Sequence, residues 1–249
     1  MRRYGRPLRS AVRLIMPTSA IRGLFRKLGR ALRRRGVGGT LGLVGTKLRI
    51  MARRGTPDTA YDDARGVDTS GNISLADLDI KSRNWEYGVR YTPTVPEVFH
   101  EMMGHLQIEH EKFTFIDYGA GKGRVLLMAA DYGFRRVIGV EFSSELCVIA
   151  NENIARARGV AAGDRVICEC ADAVDYRAPE DPLVIYFYNP FEENIMRAVL
   201  ENLGQSLRAT RREAYVLYYN PVLLGLLEAQ PEWNVIGSGD DFAILRAHA

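Results

Sequence analysis

The sequence predicts an α/β domain, a doubly wound sheet whose last strand runs antiparallel, preceded by a basic helical arm. Three observations carry this expectation. First, five short apolar runs stand out: FTFIDYG (113–119), RVIGVEF (136–142), RVICECAD (165–172), LVIYFYN (183–189) and YVLYYN (215–220). They are rich in β-branched and aromatic residues and largely lack alternation, as strands covered on both faces do. Second, stretches with helical spacing separate them: VLLMAADYG, SELCVIANENIARARG, EENIMRAVLENLGQSLRA and PVLLGLLEA. Strand and helix in alternation imply a parallel sheet sandwiched by helices. Third, the sequence finishes with WNVIGSG and FAILRAHA around Gly-Asp-Asp, the pattern of a hairpin, which brings the strands to seven.

Charge divides the chain. Residues 1–54 hold sixteen Lys or Arg and no acid, which leaves eighteen basic against thirty acidic residues in the remainder. A basic arm is thus attached to an acidic body, and such an arm suits an anionic surface, nucleic-acid phosphate or acidic lipid. Within it Ile21, Leu24, Phe25, Leu28 and Leu32 fall on one face of a cationic amphipathic helix, opened by Thr18 or Ser19 and closed by Gly36. An Arg-rich, acid-free helix also has the character of a transit peptide, although 29 Arg against 5 Lys in the whole chain points to a general preference for arginine. Gly38–Gly45 reads as a flexible joint, and Gly55 and Pro57 mark a boundary. Three regions follow: residues 1–57 as arm and joint, 58–90 as a polar connecting segment with one alternating piece (NISLADLDI), and 91–249 as the domain.

Several classes are excluded. Cys147, Cys168 and Cys170 are too few for a disulfide framework and wrongly spaced for a zinc site, and read as buried thiols of a cytoplasmic protein. His100, His105 and His110 recur every fifth residue, which spreads them around a helix and not onto one metal-binding face. No apolar run reaches the roughly 18 residues of a membrane span, so lipid contact, if the arm makes it, is peripheral.

The sharpest local signal is FIDYGAGKGR (115–124), with Gly119, Gly121 and Gly123 between the first strand and its helix. A dinucleotide fingerprint needs G-x-G-x-x-G, but here the third glycine comes one residue early and position 124 is Arg; nor does a Gly-Lys-Ser/Thr follow, as a phosphate loop requires. Asp117, Glu141 and Asp172 end three consecutive strands, the place where open α/β sheets bind ligands. Glu141 suits ribose hydroxyls, Asp172 an exocyclic adenine amine, and Phe142 a base face.

These residues resemble the class I S-adenosylmethionine-dependent methyltransferases, with a match covering Tyr91 to Ala249. The resemblance implies a seven-stranded Rossmann-like methyltransferase sheet, S-adenosyl-L-methionine as cofactor, Gly119 and Gly121 beside its methionine part, and Asp117 near its ammonium. RYTPT (90–94) is similar to the Tyr-x-Pro-Thr loop of non-SET histone-lysine methyltransferases and related bacterial proteins, which would set Tyr91 and Thr94 over the methionine end. As a plain sequence, the same stretch is a turn in which Thr94 caps the helix beginning PEVFHEMM.

The fourth strand leaves through Asn189-Pro190-Phe191. In amino-methyltransferases of this fold the corresponding strand ends Asp/Asn-Pro-Pro-Tyr/Phe; the second proline is missing here. In that role the Asn189 oxygen and Pro190 carbonyl would orient an acceptor nitrogen while Phe191 packs on the substrate. The competing reading is a capping box, Asn189 with Glu192 three residues on. Asn220-Pro221 repeats the pattern at the fifth strand, where it is expected to cap only. The implied activity is methyl transfer to a nitrogen of a protein or nucleic acid, or alternatively to a small or lipid-borne molecule; a non-catalytic binding protein is the third option.

Overall fold

Alternation within each buried strand determines how the sheet is covered, and in this computed structural model the two faces separate cleanly. The structure describes residues 59–71, 73, 91–159 and 163–247. The expected arm and joint (1–57) and most of the connecting segment (58–90) lie outside the described residues. The seven strands are β1 (Thr114–Tyr118), β2 (Arg136–Glu141), β3 (Val166–Cys170), β4 (Leu183–Tyr188), β5 (Ala214–Tyr219), β6 (Trp233–Ser238) and β7 (Phe242–Ala247). Their order across the sheet is β3-β2-β1-β4-β5-β7-β6. The first five are mutually parallel, and β7 runs antiparallel to both β5 and β6, as the terminal hairpin led us to expect.

Among the described residues six α-helices accompany them: α1 (Ala60–Arg65), α2 (Pro96–Gly104), α3 (Arg124–Ala130), α4 (Ser144–Arg156), α5 (Glu193–Ala209) and α6 (Leu224–Glu228). Phe115, Val184, Tyr186, Leu217 and Tyr219 point to one face and meet Phe99, Met102, Leu126 and Ala150 of α2, α3 and α4. Their strand neighbours Ile116, Ile185, Phe187, Val216 and Tyr218 point to the other, where α5 lays down Ile195, Met196, Val199 and Leu203. The period of two along the strands and the apolar stripe of α5 therefore produce two cores from one sheet. Among the described residues no helix is long and apolar enough to cross a membrane.

Four expectations need correction. Asn189 and Asn220 do not cap helices: both lie in the left-handed region, φ 42 and 49, whereas an N-cap residue is extended. The N-caps of α5 and α6 are instead Glu192 and Leu223. Thr94 does not cap α2 either, since Val95 holds that position and the Thr94 hydroxyl is hydrogen-bonded to the Tyr186 hydroxyl at 2.9 Å. Cys147 and Cys168 are buried, but Cys170 is exposed because β3 is an edge strand.

Candidate active site

Strand order reverses between β1 and β4: β2 and β3 build outward on one side, β4 and β5 on the other. At such a switch point the connections leave in opposite directions and open a crevice at the carboxyl ends of the strands. The β1–α3 loop, Gly119 to Gly123, lines it. Gly119 (φ 84) is pressed against the neighbouring strand exit, so that a Cβ there would come within 2.9 Å of the Pro190 side chain. Gly121 (φ 54) lies under the Tyr91 ring; a Cβ would stand 2.2 Å from two ring carbons. Both positions thus require glycine twice over, for backbone conformation and for space. Tyr91 is fixed from its other end, donating its hydroxyl to the Thr69 carbonyl at 2.6 Å.

The Gly119, Ala120, Gly121 and Gly123 amides of this loop are already engaged. Gly119 and Ala120 donate to the Val140 carbonyl, Gly123 donates to Ala120, and Gly121 donates to Glu141 Oε2 at 2.8 Å. Glu141 Oε1 accepts from the Ser143 amide at 2.9 Å, so one carboxylate ties the loop to the start of α4. Its remaining lone pairs stay available for hydroxyl groups. Burial pushes the Glu141 carboxyl up, against the opposing effect of those hydrogen bonds.

Asp117, 3% exposed, lies in β1 beside Tyr186 of β4. Among the described residues it receives no hydrogen bond, and burial together with the Glu141 charge holds its carboxyl well above the usual carboxylate range. Asp172, just beyond β3, is half-buried and accepts from the Val174 amide at 3.0 Å. Phe142, at the end of β2, is half-buried and belongs to neither core cluster. The expected cofactor-binding residues Asp117, Gly119, Gly121, Glu141, Phe142 and Asp172 thus share the strand ends, with Tyr91 over the loop and Thr94 behind it on Tyr186.

Asn189 and Pro190 are half-buried at the end of β4. Phe191 is not presented to the crevice: it is 7% exposed and packs in the core with Ile195 and Met196 of α5. The expected contact between Phe191 and substrate is therefore replaced by a packing role.

Thr59–Gly71 forms a strap against this loop, which the local sequence of 58–90 does not announce. Asp62, buried in α1, accepts from the Thr69 and Ser70 amides (2.8 and 2.7 Å) and from the Thr69 hydroxyl (2.5 Å). Burial raises its carboxyl, but these hydrogen bonds outweigh that and hold it below its ordinary value. Arg124, 2% exposed, donates to Thr69 Oγ1 at 2.7 Å and to Asp62 Oδ1 at 3.2 Å, and its guanidinium lies 5.0 Å from the Tyr61 ring centroid. Lys122 donates to Asp68 and to the Ser70 carbonyl, and Asn153 bonds the backbone of both Asp68 and Lys122. Both cations of GAGKGR are thus turned to the strap. The Arg at position 124, where a dinucleotide loop would carry glycine, was the available signal.

No protein-family model and no curated protein matches this chain in sequence. Solved structures do align with it. An RNA methyltransferase from Salinibacter ruber, in complex with S-adenosyl-L-homocysteine, is 18% identical with TM-score 0.44, over 63% of this chain and 92% of that one. A ribosomal protein L11 methylase from Lactobacillus delbrueckii subsp. bulgaricus is 14% identical with TM-score 0.44, over 71% and 97%. Magnesium protoporphyrin IX methyltransferase from Synechocystis PCC 6803, with bound S-adenosylmethionine, is 14% identical with TM-score 0.42, over 61% and 76%. The fold assignment rests on the strand order and register described above.

Proposed function

We propose that this protein is an S-adenosyl-L-methionine-dependent methyltransferase that acts on a nitrogen of a protein or nucleic acid. One observation carries the reading: the crevice is built for a cation. Asp117 is a buried carboxylate without a hydrogen-bond partner among the described residues, next to the second buried acid Glu141. The Gly119, Ala120, Gly121 and Gly123 amides are engaged by protein acceptors, and the Lys122 and Arg124 side chains by the strap. A phosphate cradle needs several free amides and uncommitted positive charge, and these groups are committed elsewhere. A positively charged ligand relieves the repulsion between the two acids, because an opposite charge within a few ångströms favours the ionised form.

The residues present fit the cofactor. Asp117 would hold its ammonium, Glu141 its ribose hydroxyls, and Asp172 and Phe142 its adenine, with Tyr91 closing over Gly121. When bound, S-adenosylmethionine supplies a methyl group already activated by the sulfonium, so that the acceptor nitrogen displaces a neutral thioether in line. The chain's own task is then to align the acceptor and exclude water, and well-positioned reactants correspond to effective molarities on the order of 10⁵ to 10⁸ M. Asn189 and the Pro190 carbonyl, beside Gly119, supply acceptors that aim a nitrogen lone pair at the crevice. Calorimetric titration with S-adenosylmethionine and S-adenosylhomocysteine tests cofactor binding. Incubation with methyl-labelled cofactor and a fractionated lysate then assigns label to protein, nucleic acid or small molecule. Absence of cofactor binding refutes the proposal; label in small molecules alone moves the acceptor class to the alternative named from the sequence.

A further inference from the structure

The second Asn-Pro turn belongs to the same site as the first. Tyr188 of β4 is paired in register with Tyr219 of β5, and the rings lie 4.3 Å apart between centroids at 36°. Asn189 and Asn220 are the next residues on these parallel neighbours, so the two turns leave the sheet side by side, at a strand separation of about 4.8 Å. Asn220 is one strand farther from β1 than Asn189, but it is adjacent to it.

Both turns are conformationally costly in the same way. Among the described residues, Asn189 and Asn220 are the two non-glycine positions with positive φ. Each precedes a proline, which disfavours helical conformations at the residue before it. Neither asparagine caps a helix, and among the described residues neither side-chain amide makes a hydrogen bond. The Asn220 backbone, by contrast, is held firmly: its amide donates to the Asp241 carbonyl at 2.6 Å and its carbonyl accepts from Val222 at 2.8 Å. A turn needing only positive φ would be served better by glycine. What asparagine adds is a carboxamide, and here two of them stand unoccupied next to a tyrosine pair.

We propose that Asn220 is a second acceptor-binding residue, and that Asn189 and Asn220 form one clamp beside the Tyr188–Tyr219 pair. The inference rests on the methyltransferase reading given above. A carboxamide presents both a donor and an acceptor. Two of them at strand spacing complement a flat group that also carries both, such as a carboxamide or an amino-substituted heterocycle. A primary ammonium would leave both NH₂ groups unused. Tyr188, the half-buried member of the tyrosine pair, supplies an aromatic surface for such a group to lie against, with the buried Tyr219 behind it.

The test uses the full chain labelled with ¹⁵N-asparagine and saturated with S-adenosylhomocysteine, with benzamide as the probe. The side-chain resonances are assigned from Asn189→Gly and Asn220→Gly, which keep the backbone conformation accessible. Benzamide should shift both side-chain amides along a single binding curve. Asn220→Gly should weaken benzamide by about fivefold, the worth of one hydrogen-bonding partner, while S-adenosylhomocysteine affinity and Tm hold. A shift confined to Asn189, unchanged benzamide affinity in Asn220→Gly, or no benzamide binding to the complex overturns the clamp and leaves the cofactor reading standing. Failure of S-adenosylhomocysteine to bind overturns both.

Discussion

Replacing Arg124 with methionine should unfasten the strap from the β1–α3 loop. Arg124 is 2% exposed and bonds Thr69 Oγ1 at 2.7 Å and Asp62 Oδ1 at 3.2 Å. Methionine keeps most of the aliphatic length but leaves the buried Asp62 carboxylate without its cation. Breaking a buried pair by removing one partner costs about 3–5 kcal/mol. Asp62 keeps three hydrogen bonds from Thr69 and Ser70, so the low end applies, about 3 kcal/mol. For a domain of this size that lowers Tm by about 6–12 °C, at 2–4 °C per kcal/mol. Urea denaturation of wild type, Arg124→Met, Asp62→Asn and the double variant completes the cycle. The double variant should be less destabilised than the sum of the singles by at least about 1 kcal/mol. A loss below about 1 kcal/mol for Arg124→Met, or additivity within about 0.5 kcal/mol, would refute the pairing.

Asp117→Asn should stabilise the ligand-free protein at neutral pH and weaken S-adenosylmethionine. The folded state holds the Asp117 proton more tightly than the unfolded chain, so stability falls as pH rises from the ordinary aspartate value of 3.8 toward the raised folded-state value. The Tm advantage of the variant should therefore vanish in acid, and an advantage that grows as pH falls would contradict the assignment. Asp172→Ala, at a half-buried position just beyond β3, should reduce cofactor affinity with little change in Tm. Glu141→Ala orphans the Gly121 and Ser143 amides and should cost about 2 kcal/mol or more of stability as well; equal Tm for the two variants would show that Glu141 does not tie the loop. Gly121→Ala should expel the Tyr91 ring, which a Cβ would approach to 2.2 Å, and cofactor affinity measured by calorimetry should drop at least about tenfold.

How far each feature was legible in the sequence depended on how local its cause is. The strands follow from runs such as LVIYFY, because burial on both faces leaves a composition that few other elements share. The loop at 119–123 was equally visible, since glycine spacing after a strand reports a close backbone approach. The strap was not, because Asp62 and Arg124 are 62 residues apart and each alone is an ordinary charged residue. The capping reading of the Asn-Pro exits fails for a different reason: asparagine is favoured both at helix N-caps and in the left-handed region, and the chain's spelling is the same for each. Phe191 looked like a substrate contact by position, but the turn at Asn189 directs it into the core against α5.

The place of β7 between β5 and β6 has a consequence for how the chain assembles. β6 is synthesised first yet touches no strand but β7, so it cannot join the sheet until residues 242–247 have emerged. Until then the β5 edge, with Tyr218 and Tyr219, stays unpaired, and an open apolar edge is a template for the wrong partner. Asp241, the residue before this strand, also holds the turn at Asn220, so the Asn-Pro side of the crevice takes shape last. A nascent chain would then complete the β1–α3 loop well before the turn that faces it from β5.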